Sequence, residues 1–152
     1  MGKNMKIYIG ADHNGFAMKQ ELTEELVRAG YEVIDEGDKK LNPDDDFPIF
    51  AARVVHAMKA DGGKDPRGIL ICGSAQGMCM AANRFKGIRA SLIWETAEAH
   101  AARNDDDSNV LCLPARSVTT AEAVKIAHTW LATPFAAAPR YKRRLRELDQ
   151  LG

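Results

Sequence analysis

The 152-residue sequence has no excess of charge of either sign, since 21 Lys and Arg balance 21 Asp and Glu. That balance argues against a general nucleic-acid or membrane-surface binder, although it permits a local basic patch. No apolar run approaches the roughly 18 residues of a membrane span. The opening residues, Met1-Gly2-Lys3-Asn4-Met5-Lys6, lack a signal-peptide core, and Lys6 stands where a myristoylation signal requires Ser or Thr. Cysteine is scarce and odd in number, at three. A disulfide framework is therefore set aside, and reduced thiols in the cytoplasm are expected. There is no repeat, low-complexity tract or linker, so residues 1–152 are expected to form one domain. What the chain does have is a globular balance, 45% hydrophobic and 28% charged, too apolar for intrinsic disorder.

Short β-rich runs alternate with helical periods. Lys6-Ile7-Tyr8-Ile9 reads as a strand ending at Gly10. Met18, Leu22 and Leu26 then recur every four residues on one helical face, and Gly30 stops that helix. Tyr31 to Ile34 is a second strand, and the acidic stretch 35–46 a loop. Pro48 fits the first turn of a helix running to about Lys59. Gly68-Ile69-Leu70-Ile71-Cys72 is apolar almost throughout, as a strand buried on both faces would be. Further strands are predicted at Ile88–Ile93 and Asn109–Leu113, and a helix at Thr96–Asn104. Another helix starts near Thr119 and Thr120, and a last one after Pro139 is expected to bury Tyr141, Leu145 and Leu148. The alternation predicts an α/β fold: a Rossmann-like three-layer sandwich with a five-stranded parallel sheet plus a C-terminal helix. Ligands of such folds sit beyond the carboxyl ends of the strands.

Four constellations could carry chemistry. Cys72-Gly73-Ser74-Ala75-Gln76-Gly77 is a strand end, a turn and a helix start, where unpaired backbone N–H groups favour an anion. A cysteine on that rim is expected to have its thiol pKa lowered; the plainer alternative is a small buried hydrophobe ending a core strand. A P-loop would end in Gly-Lys-Ser/Thr, where this turn offers Gly77-Met78-Cys79. A cysteine phosphatase would need Arg at the place of Met78. Gly10-Ala11-Asp12-His13-Asn14-Gly15 forms a polar rim suited to sugar hydroxyls or phosphate, with helix capping as the competing use of Asp12 or Asn14. The run Arg140 to Arg146 holds five cations within seven residues; Arg140 and Arg144, spaced i, i+4, could grip one phosphate together, with Arg116 a further cation at the carboxyl edge. Asn104 to Asn109 contains three carboxylates without EF-hand spacing and reads as a loop of cap and turn residues. His56, His100 and His128 fall within helices, Cys79 and Cys112 read as core residues, and no Cys/His spacing suggests zinc.

In their order and spacing these segments, with Asp46-Phe47-Pro48, Ala82-Asn83-Arg84, Gly87-Ile88-Arg89-Ala90, Asn109-Val110-Leu111 and Thr133-Pro134-Phe135, resemble the B-type ribose-5-phosphate isomerase family. That family includes galactose-6-phosphate isomerase subunits, and the likeness covers nearly the whole chain. It implies aldose–ketose isomerisation of a sugar phosphate, most simply ribose 5-phosphate, without metal or organic cofactor. It also implies a homodimer or tetramer with the active site at the subunit boundary, and no nucleic-acid or membrane partner. The resemblance makes Cys72 the base that moves a proton between C1 and C2; family members that use Glu carry it at the position of Met78. Ser74 and the amides of Gly73, Ala75, Gln76 and Gly77 match the pocket for the enediolate oxygen. Asp12 and His13 match substrate contacts, and Arg116, Arg140 and Arg144 match phosphate-binding arginines, some reaching in from a neighbouring subunit.

Three departures stand out. The family's His-Asn pair, whose His is associated with opening the sugar ring, is here Asp105 and Asp106. Asp105 is the candidate to take over that step, with Asp106 beside it as a substrate contact. Otherwise the substrate is one already open, such as a tetrose 4-phosphate. A hexose 6-phosphate or a non-catalytic sugar-phosphate-binding partner subunit are the remaining alternatives. Ala75 replaces a glycine in the turn, putting a Cβ where Gly is favoured. Phe47 lacks the hydroxyl of the family's tyrosine.

Overall fold

Strands form where the apolar residues alternate between two buried faces. In a computed structural model describing residues 5–152, these are β1 (Lys6–Ala11), β2 (Glu32–Asp35), β3 (Arg67–Cys72), β4 (Ala90–Leu92) and β5 (Val110–Pro114). They join in one parallel sheet in the order β2-β1-β3-β5-β4. The helices are α1 (Phe16–Arg28), α2 (Phe47–Ala60), α3 (Gln76–Ala82), α4 (Thr96–Asp106), α5 (Thr120–Ala132) and α6 (Pro139–Asp149). The signal-peptide and myristoylation readings rest largely on residues 1–4, which lie outside the described residues. No helix among the described residues is long and apolar enough to cross a membrane.

Side-chain parity along the strands sorts the core into two layers. Ile7, Ile9, Ile69, Ile71, Leu111 and Leu113 meet Leu22 and Leu26 of α1 and Ile126 and Trp130 of α5. Tyr8, Leu70, Cys72, Val110 and Cys112 face Phe50, Val54 and Met58 of α2 and Met78 of α3. Each fully buried aliphatic or aromatic side chain contributes roughly 1.5–3 kcal/mol, so the central strands are the most firmly held part of the sheet. The chain runs from β1 outward to β2, then returns to add β3 on the opposite side of β1. Winding therefore reverses between the carboxyl ends of β1 and β3, which opens a crevice flanked by Ala11 and Cys72.

Three expectations change. The fourth strand shrinks to Ala90–Leu92, because Ile88 N–H is taken by a turn to the Phe85 carbonyl and Arg89 N–H by the Asn109 side chain. The fourth helix extends through Asp106, so Asp105 and Asp106 belong to a helical last turn rather than a loop. Asp107 caps that helix with φ of 48° and is held by Arg103 and Arg89 at 2.8 and 3.1 Å. These cations offset the cost of carboxylates at the negative end of a helix dipole. Finally, α6 buries none of its residues: Tyr141 and Leu145 are half-buried and Leu148 is 48% exposed. The apolar stripe exists at the expected spacing, but within one copy there is too little surface for it to cover.

Candidate functional site

The crevice is built from the ends of β1, β3 and β5. Immediately after β1, Asp12 is 5% exposed. Its Oδ1 accepts hydrogen bonds from the main-chain N–H of Asn14 at 3.0 Å and of Gly15 at 3.3 Å. Neither Asp12 nor Asn14 caps α1, whose N-cap is Gly15 without a side-chain cap bond; the Asp12 carboxylate closes the turn before the helix and also faces Cys72. His13, the next residue, is held by Asp45, whose Oδ1 lies 3.0 Å from its main-chain N and 2.8 Å from Nδ1. The carboxylate beside it, with Asp12 and Asp44 nearby, raises the His13 pKa above the usual 6.5.

Cys72 ends β3 beneath the turn, with the amides of Ala75 and Ser74 near its sulfur. Those donors favour a thiolate, as the sequence suggested. Burial outweighs them, and the Asp12 charge adds to it, so the thiol pKa is raised rather than lowered. The expectation of an acidified thiol is therefore overturned in the isolated chain. The turn itself is tight. Ala75 adopts φ of 62°, the left-handed region that costs a residue with a Cβ roughly 1–2 kcal/mol. The Arg116 guanidinium lies over Gly73; a Cβ there would come within 2.7 Å of Nε and Nη2, so the arginine would have to shift. A Cβ on Gly77 would meet the Phe47 ring at 2.6 Å. Ser74 Oγ stands 3.4 Å from the main-chain N of Gln76, whose own side chain is exposed.

One group of predicted residues is thus brought together: Asp12, His13, Cys72, Gly73, Ser74, Ala75, Gln76, Gly77 and Arg116. The others are not among them. Helices run antiparallel to the strands they follow, so the last turn of α4 lies at the amino-terminal end of the sheet. Asp105 and Asp106 sit there, and Asn104 accepts a bond from Ala136 at 3.0 Å. Burial and Asp105 raise the Asp106 pKa, and nearby Arg144 of α6 opposes them. Arg140 is folded onto Tyr141, with its guanidinium 4.5 Å from the ring centroid and Nη2 3.0 Å from the hydroxyl. The joint grip of Arg140 and Arg144 on one anion is not formed in the single chain, where each side chain is turned to a different neighbour. A cavity of about 550 Å³ lies between α6 and the edge strand β4, lined by Arg89, Ser91, Asp106 and Leu148. It belongs to this second end, not to the crevice.

Sequence reasoning missed Asp45 and Lys19. Lys19 is 1% exposed; its Nζ reaches Asp35 at 2.9 Å and the Asp38 carbonyl at 2.8 Å, tying down the start of the acidic loop. Neither has a local signal, because their partners are distant in sequence. Cys112 is fully buried as expected, whereas Cys79 is half-buried, with Sγ 3.4 Å from the Ala90 carbonyl. Among the described residues no cluster of three or more His, Cys, Asp or Glu could hold a metal ion.

Known proteins resemble this chain in sequence and in fold. The sequence profile described as Ribose/Galactose Isomerase matches residues 7–148. The chain is 39% identical over 145 residues to the probable ribose-5-phosphate isomerase B of Mycoplasma genitalium, covering 95% of this chain and 94% of that one. With ribose-5-phosphate isomerase B of Escherichia coli it shares 38% over 146 residues, covering 96% and 95%. A crystal structure of the Mycoplasma genitalium enzyme with bound ribulose-5-phosphate superimposes with a TM-score of 0.91 at 37% identity, covering 97% of this chain and 95% of that one. The Thermotoga maritima enzyme gives 0.91 at 36%, covering 97% and 99%. With residues 7–148 matched by the profile and nearly the whole length shared with these relatives, the chain belongs to the ribose/galactose isomerase family.

Proposed function

We propose that the chain interconverts ribose 5-phosphate and ribulose 5-phosphate, with Cys72 as the base. The observation that carries this reading is the seat of Cys72, under the Ser74 and Ala75 amides, against Asp12, and next to the turn that Arg116 covers. Relatives named ribose-5-phosphate isomerase B, one solved with ribulose-5-phosphate bound, supply the substrate. A proton next to a carbonyl is weakly acidic, so the developing charge needs fixed donors. The thiolate takes the C2 proton of the open-chain aldose, the C–H electron pair becomes the C1–C2 double bond, and charge settles on O1. The amides of residues 73–77 and the Ser74 hydroxyl stabilise that enediolate. Transfer of the O2 proton to O1 and return of the Cys72 proton to C1 give the ketose, with nothing gained or lost. Arg116 supplies a cation for the phosphate, whose binding energy orients the reacting carbons.

Asp105, Asp106, Arg140 and Arg144 serve this site only if another copy brings them to it, since they occupy the opposite end of the sheet. The reading therefore includes a homodimer or tetramer with the site at the subunit boundary. Its substrate class and its need for a reduced thiol fit the cytoplasm. The direct test is exchange of the C2 proton with solvent. Cys72→Ala should abolish exchange while sugar-phosphate binding survives; exchange at the parent rate would overturn the role of Cys72.

A second reading is favoured by the carboxylates at 105 and 106. If Asp105 does not open a furanose ring, an open-chain tetrose 4-phosphate becomes the better substrate, because phosphorylation of O4 prevents ring closure. Comparing kcat/KM on ribose 5-phosphate and erythrose 4-phosphate, before and after Asp105→His, separates the two. A pentose activity unaltered by that change would remove the ring-opening argument.

A further inference from the structure

The acidic loop between β2 and α2 reads in the sequence as a solvated connection, yet one of its carboxylates is turned inward. Asn42-Pro43-Asp44-Asp45 forms a turn, with Pro at its second position and the Asp45 N–H bonded to the Asn42 carbonyl at 3.2 Å. Asn42 Oδ1 also accepts from Asp44 N–H at 3.1 Å. This turn leaves the Asp45 side chain only 7% exposed, although its neighbours Asp44 and Asp46 face solvent. The carboxylate meets His13, 32 residues earlier, through both the main-chain N–H and Nδ1. Two contacts to one residue fix the position of the backbone and the rotation of the ring together. No hydrogen bond among the described residues involves Nε2, and the His13 side chain is 33% exposed.

We propose that Asp45 is a positioning residue for substrate phosphate: by holding Nδ1 of His13 it presents Nε2–H of the imidazole to the anionic group. The proposal rests on the sugar-phosphate reading above and adds a residue that acts through another. A histidine whose Nδ1–H is accepted by a carboxylate has its ring oriented and its cationic form favoured. The charged groups facing His13 are Asp12 from the end of β1 and Asp44 and Asp45 from the loop, all of which favour the cation.

Asp45→Asn preserves an oxygen for the two contacts but removes the charge. The His13 pKa, read by NMR titration of the ring nitrogens, should fall. KM for ribose 5-phosphate should rise roughly tenfold at pH 7.5 with kcat little changed. The KM difference should narrow as the pH falls and the ring becomes cationic in both proteins. In a His13→Ala background Asp45→Asn should add nothing, a result that a merely structural role would not give. An unmoved His13 titration, or an equal KM effect with and without His13, overturns the proposal. The titration, repeated with inorganic phosphate as ligand, judges Asp45 without turnover. An absence of isomerase activity in the parent protein would instead count against the functional reading.

Discussion

Asp12 closes a turn and charges a crevice with the same side chain. Because its carboxylate stands beside the Cys72 thiol, and because that thiol is buried, the proton is held more tightly than in free cysteine. The sign matters for activity. A base must be deprotonated, so a raised pKa predicts that kcat/KM climbs with pH through the alkaline range, without a plateau below about pH 9. Asp12→Asn keeps an oxygen for the Asn14 and Gly15 amides and removes the charge. It should lower the Cys72 pKa and speed alkylation by iodoacetamide at pH 8 roughly three- to tenfold; an unchanged rate would mean that burial alone sets the pKa. Asp12 and Cys72 were legible because each follows a β-rich run, where a parallel sheet gathers its ligands. The direction of the Cys72 shift was not, since a turn's amides show in sequence but the burial opposing them does not. Asp45 was hidden for a related reason: in an acidic loop, nothing local marks which carboxylate turns inward.

At the scale of elements, helical periods show in the sequence and the surroundings of the helices do not. Thr119 was expected to start α5, and it does so through a reciprocal capping box with Glu122, at 3.1 and 3.0 Å. Thr119→Ala should cost about 1 kcal/mol in denaturant unfolding at fixed protein concentration. Ala137, just before α6, adopts φ of 56°, a conformation that favours glycine. Ala137→Gly should accordingly raise stability by up to about 1 kcal/mol in the same assay, and a loss would mean that the methyl contact outweighs the backbone strain. The stripe Tyr141, Leu145, Leu148 was visible by spacing, but spacing cannot say whether a stripe meets its own core or another molecule. Likewise the run of carboxylates at 105–107 reads as a turn. It becomes a helix end because Arg103, buried to 4% exposure and bonded to Asp107 and to the Ser108 and Thr133 carbonyls, anchors it from inside.

Over the whole molecule, the chemistry-bearing residues divide between opposite ends of one sheet. Cys72, Asp12, His13 and Arg116 stand at the carboxyl end; Asp105, Asp106, Arg140 and Arg144 gather around α4 and α6 at the other. The exposed stripe of α6 and the cavity beside β4 lie at that second end. The central claim is that one copy's second end completes another copy's crevice, and mixing two inactive variants tests it most directly. Cys72→Ala should be inactive, and Arg140→Ala/Arg144→Ala should bind substrate too weakly to turn it over. After subunit exchange in equal amounts, half of the dimers are mixed, and each mixed dimer has one intact site in two. Activity should therefore return to about one quarter of the parent protein's. If exchange is verified by native mass spectrometry and activity stays at the level of the separate variants, the two ends do not share a site.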